Sequence, residues 1–417
     1  MPDFRPLAAQ CQHALLEQCL PFWLKYACDG LGGGYFEYLA ADGSTLEANK
    51  TVARQAEQVW AFAWLYTTLD AQPDWLDHAL HGADFLAEHA HDSQLACYTT
   101  LDRLGNPIAL MQQPLTHDPL TTARVAAAYA QMHLATGHDE WARLAKQTFQ
   151  TLLVPYQTHR HTRLVAPPTQ PQPLKPLSQP VAVLRALLDS QHLFTPADWK
   201  EATEPLLDEL LTDFLDRRHD QFREFVGPGG AFSNTPEGRR LHTNLSVQAA
   251  AVVLETGAKL GNRKLVQQAT NWVLALCERT WPTAPARPNR LAGPPVLVQG
   301  LPHYTDSKGQ PMPFAEAGQR HAATHALALA MLANGYRHTR HSNVPDWLER
   351  LCQYTFQHFP ATEPSYPWHP ILPPTDPFVA TPSTGCYGLI RGLAETRHYL
   401  TLCQQPEPHV PPRRSLA

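Results

Sequence analysis

The feature that most constrains the fold of this chain is a series of helical segments that follow one another in pairs. Apolar residues recur at i, i+3, i+4 and i+7 in about twelve segments, which is the spacing of one buried helix face. Within several pairs the junction is short and turn-like, as at 135–139 and 260–263. Short junctions are typical of antiparallel helix hairpins. The predicted helices lie near residues 8–28, 50–70, 75–91, 119–137, 139–155, 180–192, 197–218, 241–260, 262–280, 318–338, 343–359 and 385–402.

The connections between pairs are longer than those within pairs. This alternation predicts two concentric rings of helices, an all-α (α/α)6 barrel formed by a single domain over 1–403, with 404–417 as a disordered tail. The segments at 121–135, 247–254 and 321–332 are rich in small apolar residues. We expect these segments in the inner ring.

Three segments place a short polar hairpin directly before a helix, at 33–66, 229–254 and 300–336. A helix entered from a hairpin presents its first-turn side chains at one end of the barrel, which we call the rim. The hairpins therefore predict that a functional site lies at the rim.

Composition excludes several classes of partner and cofactor. A net charge of -5 gives no electrostatic reason to expect nucleic acid or an anionic membrane. The eight cysteines lack metal-type spacing, which predicts free thiols in a reducing compartment and no metal site. The N-terminus lacks a secretory pattern, so the chain is predicted to be cytoplasmic. Phosphate-loop, dinucleotide and hydrolase-elbow motifs are absent, so no cofactor is expected, and a homodimer is the default assembly.

A set of motifs spread over most of the chain resembles the N-acylglucosamine 2-epimerase family, which includes cellobiose 2-epimerases and mannose or sulfoquinovose isomerases. The resemblance implies an (α/α)6 barrel that moves a proton at the carbon next to a sugar's open-chain carbonyl. Such chemistry needs groups that exchange protons near neutral pH and a cation beside the developing enolate. The motifs are Pro21-Phe-Trp-Leu24, the hairpin at 33–43, Lys50, Gln58-Val-Trp60, Asp102-Arg-Leu-Gly-Asn-Pro107, Thr235-Pro-Glu-Gly-Arg239, Tyr304-Thr-Asp306 with Gly309 and Pro311, and Gly385-Cys-Tyr387 with Arg391.

The chain departs from the family pattern at the positions that the resemblance assigns to catalysis. Leu245 and Gly388 occupy the positions of the two acid/base histidines, and Glu57 occupies that of an arginine. Thr122, Gln248 and Leu327 stand where the family shows acids. The family's mechanism therefore cannot operate unchanged.

Four side chains are the candidate catalytic groups. His242 and His325 each lie at the start of a predicted inner helix, and His242 is one turn from the vacated position at Leu245. Glu224, in a motif that survives, is expected near the rim. A structural histidine or a surface acid is the alternative for each. His321 and His325 have an i,i+4 spacing that could bind zinc, but no third ligand follows by spacing.

Glu57 is the fourth candidate, because it shares a helix face with Arg54 at i,i+3. If that face points into the barrel, Glu57 is a candidate base and Arg54 a cation beside it; otherwise the two form an exposed ion pair. Trp60 is a candidate sugar platform, although aromatic side chains at helical spacing more often belong to the core. The other candidate substrate-binding residues are Lys50, Arg239 and Arg391.

Three functions remain open. The first is a divergent sugar epimerase or isomerase in which proton transfer has moved to other residues. The second is a catalytically inactive barrel that binds a carbohydrate or acts as a scaffold, with a narrowed pocket lined by Leu245 and Leu327. The third is a glycoside-cleaving enzyme in which Glu57 and Glu224 face each other across the barrel.

Overall fold

The structure is a computed structural model. It describes residues 2–110, 115–161, 174–281, 299–310, 312, 314, 316–361, 368–373, 378–381 and 384–405. The expected tail lies outside the described residues from 406 onward. No helix in the described part is long and apolar enough to cross a membrane.

Fourteen α-helices are present in the described part of the chain. In order they are α1 (Arg5–His13), α2 (Leu20–Tyr26), α3 (Val52–Thr68), α4 (Pro73–His89), α5 (Pro119–Thr136), α6 (Asp139–His161), α7 (Ser178–Asp189), α8 (Pro196–Glu209), α9 (Pro236–Arg239), α10 (Thr243–Lys259), α11 (Arg263–Thr280), α12 (Ala322–Thr339), α13 (Val344–His358) and α14 (Cys386–Gln404). A π-helical segment, Ala14–Cys19, joins α1 to α2, and another, Leu210–Phe214, extends α8.

The helices form an (α/α)6 barrel, as the periodicity predicts. Helices α3, α5, α7, α10, α12 and α14 each contact the next, and α14 returns to α3, so the inner ring closes. Helices α4, α6, α8, α11, α13 and α1 pack outside α3, α5, α7, α10, α12 and α14 respectively. In ring order, α3 therefore lies opposite α10, and α7 lies opposite α14.

Small side chains allow the inner helices to approach closely. In α12, Ala326, Ala328 and Ala333 are fully buried. A Cβ at Gly392 of α14 would lie 2.6 Å from the Cβ of Ala326, so only glycine permits this contact between α12 and α14. The alanine-rich composition of the predicted inner segments thus has a direct packing reason.

Short antiparallel strands connect the helices. The strands are β1 (Tyr38–Ala40), β2 (Thr45–Leu46), β3 (Lys50–Thr51), β4 (Thr100–Leu101), β5 (Lys175–Pro176), β6 (Leu215–Asp216), β7 (Gln221–Phe222), β8 (Phe225–Val226), β9 (Leu241–His242), β10 (Tyr304–Thr305), β11 (Arg320–His321), β12 (Ile371–Leu372) and β13 (Phe378–Ala380). Strand β1 pairs with β2 and β13, and the other pairs are β3–β4, β5–β8, β6–β7, β9–β10 and β11–β12.

The hairpin expected at 229–254 does not form in the described structure. Helix α9 occupies part of this segment, because Thr235 accepts a hydrogen bond from the Gly238 N–H and Pro236 occupies the first turn. Strand β9 pairs instead with β10, which brings His242 opposite Tyr304 in the ladder. This long-range pairing assembles the rim from separate segments.

Candidate active site at the barrel rim

A cavity of about 380 Å³ opens at the rim. Its lining includes residues of α3, α5, α10, α12 and α14. Ligand pockets commonly enclose roughly 300–1,000 Å³, so this volume suits a small molecule. Leu327, which the inactive-barrel alternative places in the pocket, also lines this cavity. The lining residues that carry chemistry are Arg54, Glu57, Arg124, His242, Asn244, Gln248, His303, Tyr304, His321 and Tyr387.

Three histidines form a contiguous cluster on one side of this cavity. The ring centroids of His303 and His321 are 4.0 Å apart and the rings are stacked, while His242 meets His303 edge-on at 4.6 Å. His242 and His321 are the N-cap residues of α10 and α12, and His303 directly precedes β10. The pairing of β9 with β10 therefore brings His242 and His303 together.

The environment keeps the histidine cluster uncharged at neutral pH. Burial, with the neighbouring His321 and Arg240, lowers the pKa of His242 to about 3. Burial and its two histidine neighbours lower the pKa of His303 to about 2, and burial lowers that of His321 to about 4. Three adjacent imidazolium ions would repel one another, so the neutral form is favoured.

The hydrogen bonds of the cluster indicate how two of its rings are protonated. His321 Nε2 lies 3.3 Å from Gln319 Oε1, so Nε2–H donates to the amide oxygen and Nδ1 keeps its lone pair. His242 Nδ1 accepts the Leu245 N–H at 3.4 Å, which leaves the proton of the neutral ring on Nε2. Within the described part of the chain, the cavity thus contains one imidazole whose Nδ1 is unprotonated and another whose Nε2 carries the proton.

Two arginines lie on the other side of the cavity. Arg54 Nη1 is buried without a hydrogen-bond partner among the described residues, and Arg54 Nε lies 3.9 Å from Glu37 Oε1. Arg124 Nε lies 3.0 Å from Glu57 Oε1. A buried guanidinium N–H that lacks a partner is available to a ligand oxygen.

The expected ion pair of Arg54 with Glu57 is therefore replaced by an ion pair of Glu57 with Arg124. Arg54 turns toward the start of α14, where its Nη2 would lie 3.0 Å from a Cβ at Gly385. Arg124 comes from the neighbouring inner helix α5 and reaches Glu57 instead. Glu57 does line the cavity, but beside a cation that neutralises it.

Glu224 lies in a second cavity of about 200 Å³ that adjoins the first and shares Arg124, His242, Asn244 and Gln248 with it. Its carboxylate accepts two hydrogen bonds from Arg240, at 2.7 and 2.9 Å. Burial raises the pKa of Glu224, and Arg240 opposes this shift. The carboxylate near the rim is thus held in a bidentate ion pair.

His325, an expected catalytic residue, lies outside the described lining of the cavity. Its side chain is fully buried. Nε2 accepts the Leu301 N–H at 2.9 Å, and Nδ1–H donates to the His321 carbonyl at 2.8 Å. Because both ring nitrogens are occupied, His325 joins the 299–310 segment to α12, while its neighbour His321 faces the cavity.

Lys50 and Trp60 are also placed in the interior rather than in the cavity. Lys50 Nζ pairs with Asp29 at 3.2 Å and donates to the carbonyls of Gly33 and Arg103. Trp60 is buried against Trp64, with ring centroids 5.8 Å apart. Neither side chain belongs to the described lining of the cavity.

The two motif arginines differ from expectation as well. Arg239 is exposed at the end of α9, and the adjacent Arg240 is the residue that turns inward to Glu224. Arg391 is buried below the cavity floor, where it pairs with Asp189 and Glu395 and donates an N–H to the Tyr387 hydroxyl at 2.6 Å. Arg391 therefore reaches the cavity only through Tyr387.

Sequence reasoning did not single out His303, Tyr304, Arg124 and Tyr387 as candidates. His303 and Tyr304 lie in a short strand region without periodicity, and only the pairing of β9 with β10 brings them to His242. Arg124 was hidden in an alanine-rich inner helix, where an isolated arginine is itself a signal of a polar site.

The positions of the two missing family histidines differ in their surroundings. Leu245 faces the second cavity, one helical turn inside α10. Gly388 lines the main cavity, but a Cβ there would lie 2.8 Å from the Cβ of Ala323. The packing of α12 against α14 thus closes the space that a side chain at 388 needs.

Histidine, cysteine and acidic side chains form no group of three that could hold a metal ion within the described ranges. All eight cysteines belong to this part of the chain, and all are free thiols.

Comparison with known proteins matches both the fold and part of the sequence. Residues 34–232 match the family model of N-acylglucosamine 2-epimerase. The bovine N-acylglucosamine 2-epimerase is 32% identical over 101 residues, which cover 23% of this chain and 24% of that protein. The matched segment therefore spans about a quarter of the curated relative.

Two solved structures extend the similarity to the whole barrel. The cellobiose 2-epimerase of Bacillus thermoamylovorans superposes with a TM-score of 0.76 at 17% identity, covering 94% of this chain and 99% of that one. A D-mannose isomerase gives 0.72 at 13% identity, covering 95% and 99%. At these identities the superposition shows a shared fold. The sequence match over 34–232, a little under half of the chain, makes this part similar to the N-acylglucosamine 2-epimerase family.

Proposed function

We propose that this protein is a sugar epimerase or isomerase that moves a proton at the carbon next to an open-chain carbonyl, with its site in the rim cavity. The observation that carries the proposal is the presence in one cavity of a neutral histidine cluster and of Arg54, whose Nη1 lacks a partner among the described residues. A base and a cation near one ligand are the two requirements of enolate chemistry.

His321 is the proposed base. Its Nδ1 lone pair is free, because Nε2–H donates to Gln319. A pKa lowered to about 4 makes the resting imidazole a weak base. The negative charge that develops on the substrate oxygen then favours the imidazolium form of the ring, so protonation is coupled to enolate formation.

Arg54 is the proposed partner of the substrate carbonyl oxygen. Its unsatisfied N–H donor gains a hydrogen bond as charge accumulates on that oxygen, which lowers the barrier rather than only binding the ground state. His242, with Nε2–H available, is a second donor for a sugar hydroxyl. The family resemblance likewise implies a proton-transferring group and a cation beside the enolate. In this chain, other residues than the family's would fill those two roles.

The geometry gives less support to glycoside cleavage. Glu57 and Glu224 line different cavities and each is paired with an arginine, Arg124 and Arg240. Glycoside cleavage needs two carboxyl groups on either side of one glycosidic bond, and these two carboxylates do not line a common cavity in the described structure.

The test is proton NMR of the protein in D2O with a panel of aldoses and ketoses, including mannose, glucose, fructose, N-acetylglucosamine and N-acetylmannosamine. The proposal predicts deuterium at C2 of at least one sugar, and a rate lowered by about 10²–10⁴ in His321→Gln, the range for general acid–base groups. His13→Gln, at an exposed histidine of α1, is the matched control and should retain the wild-type rate. If the signals of a sugar broaden but no sugar in the panel exchanges its C2 proton for deuterium, the protein is a sugar-binding protein instead.

A further inference from the structure

We propose that Tyr387 is the second proton-transferring group of the rim site, replacing the histidine that the family shows at the next position, Gly388. This inference rests on the proposed function. In this assignment, the histidine cluster lies at one face of the substrate and the Tyr387 hydroxyl lies at the other face.

The hydroxyl of Tyr387 is held by two guanidinium groups. Arg124 Nη1–H donates to it at 3.1 Å, and Arg391 Nη1–H donates at 2.6 Å. Because both contacts use the oxygen as an acceptor, the phenolic hydrogen must point away from them, and Tyr387 lines the cavity. After the proton is given up, the Tyr387 oxygen keeps both guanidinium N–H groups as hydrogen-bond donors.

The position of Arg391 is fixed from below the cavity. Its guanidinium forms two hydrogen bonds to Asp189, at 2.9 and 3.0 Å, and one to Glu395 at 2.8 Å. All three side chains are buried or nearly so. Arg391 is therefore a positioning residue that acts through Tyr387, and a buried ion-pair network holds it in one orientation.

The contacts of Tyr387 place its side chain on the α3 and α5 side of the cavity, although α14 itself neighbours α12. Tyr387 of α14 and Arg124 of α5 meet in front of α3, where the Tyr387 ring contacts Trp60 edge-on at 5.4 Å. Helix α3 lies opposite α10, whose N-cap is His242, and His321 caps the neighbouring α12. The proposal therefore requires a sugar bound between Arg124 and His242, with one face of C2 toward His321 and the other toward Tyr387.

His321 Nδ1 takes the C2 proton, the electron pair of the C–H bond forms the C1–C2 double bond, and the carbonyl oxygen becomes an enolate beside Arg54. C2 then takes the Tyr387 proton on the opposite face, and the enolate oxygen becomes a carbonyl oxygen again. The product is the C2 epimer, with imidazolium at His321 and phenolate at Tyr387, and the imbalance is removed by proton exchange with water.

The variant Tyr387→Phe tests this assignment, because it removes only the hydroxyl. In D2O, His321 can still exchange the C2 proton of the starting sugar and return deuterium to the same face. We therefore expect deuterium in the starting sugar to persist while formation of the C2 epimer falls by about 10²–10⁴. Tyr399→Phe, at a tyrosine of the same helix that faces the interior, is the matched control and should epimerise at the wild-type rate.

A second variant, Arg124→Gln, removes one cationic donor from the phenolate and should lower epimer formation while exchange persists. Epimer formation by Tyr387→Phe within threefold of wild type would overturn the assignment. Equal loss of exchange and epimer formation, with the melting temperature unchanged, would also overturn it, because the hydroxyl would then serve both faces. Absence of exchange in the wild-type protein with every sugar would instead refute the proposed function itself.

Discussion

Arg391 and Asp189 join opposite helices across the barrel axis through two parallel hydrogen bonds of 2.9 and 3.0 Å. Asp189 also lies 3.2 Å from Arg185, which forms a bidentate pair with Glu255. These side chains surround or adjoin an internal cavity of about 30 Å³ below the rim. Helices α7 and α14 are thus tied together by charges that are removed from water.

Breaking this network should destabilise the barrel strongly. Asp189→Asn leaves Arg391 buried with only part of its charge compensated, and loss of one partner of a buried pair costs about 3–5 kcal/mol. Urea unfolding of the variant measures this cost. Lys200→Ala, which removes an exposed i,i+4 pair with Glu204, should change the free energy of unfolding by less than about 0.5 kcal/mol. If Asp189→Asn lowered the free energy of unfolding as little as Lys200→Ala does, the stabilising role of the Arg391–Asp189 pair would be contradicted.

Acid should weaken the fold through the histidine cluster. The unfolded chain binds a proton at His303 near pH 6.5, whereas the folded protein resists it until about pH 2 because of burial and the neighbouring His321 and His242. The stability that depends on a neutral His303 is therefore fully present above pH 6.5. The free energy of unfolding then decreases as the pH falls below this value. In unfolding measurements between pH 5 and 6, His303→Phe should reduce the pH slope by about 1.4 kcal/mol per pH unit. An unchanged slope would show that His303 is protonated in the folded state.

His325 and His321 should respond differently to substitution. His325→Ala removes hydrogen bonds to the Leu301 N–H and the His321 carbonyl, so we expect a loss of about 2–4 kcal/mol of stability. His321→Gln should keep most of the stability and lose sugar exchange. Thermal unfolding and exchange, measured on the same preparations, separate the two effects. Normal stability of His325→Ala with lost exchange would return the catalytic role to His325.

Much of the fold follows from local sequence, because helix periodicity and junction length fix the twelve paired segments and their order. The site does not, because its contacts are long-range. Glu57 finds Arg124 on another helix rather than Arg54 one turn away. The choice between Arg239 and Arg240 depends on where the short helix α9 ends. The cytoplasmic location and the homodimer stay predictions.

Restoring a side chain at Gly388 should meet a steric barrier. A Cβ at this position lies 2.8 Å from the Cβ of Ala323, so Gly388→Ala should cost about 1–3 kcal/mol by overpacking. Ala323→Gly removes the clash. In a double-mutant cycle of unfolding free energies, we expect an interaction energy of at least about 1 kcal/mol between the two substitutions. Additive effects would show that the helices shift apart freely.

Arg54 should contribute to the rate rather than only to binding. Arg54→Met removes the proposed donor to the enolate oxygen, and loss of one such donor lowers kcat by about 10²–10³. Steady-state kinetics on the best sugar measures kcat and KM separately. Arg239→Met, at an exposed arginine, is the matched control and should leave both unchanged. A rise in KM at constant kcat would assign Arg54 to ground-state binding.

The most direct test of proton transfer in the rim cavity is a time course of wild-type protein in D2O with the sugar panel, read at C2 by NMR. The account predicts that solvent deuterium enters C2 of the product as it forms. Product formation without deuterium at C2 would indicate direct hydrogen transfer within the sugar, and the absence of both product and exchange for every sugar would exclude catalysis on the sugars tested. Either result would contradict the account.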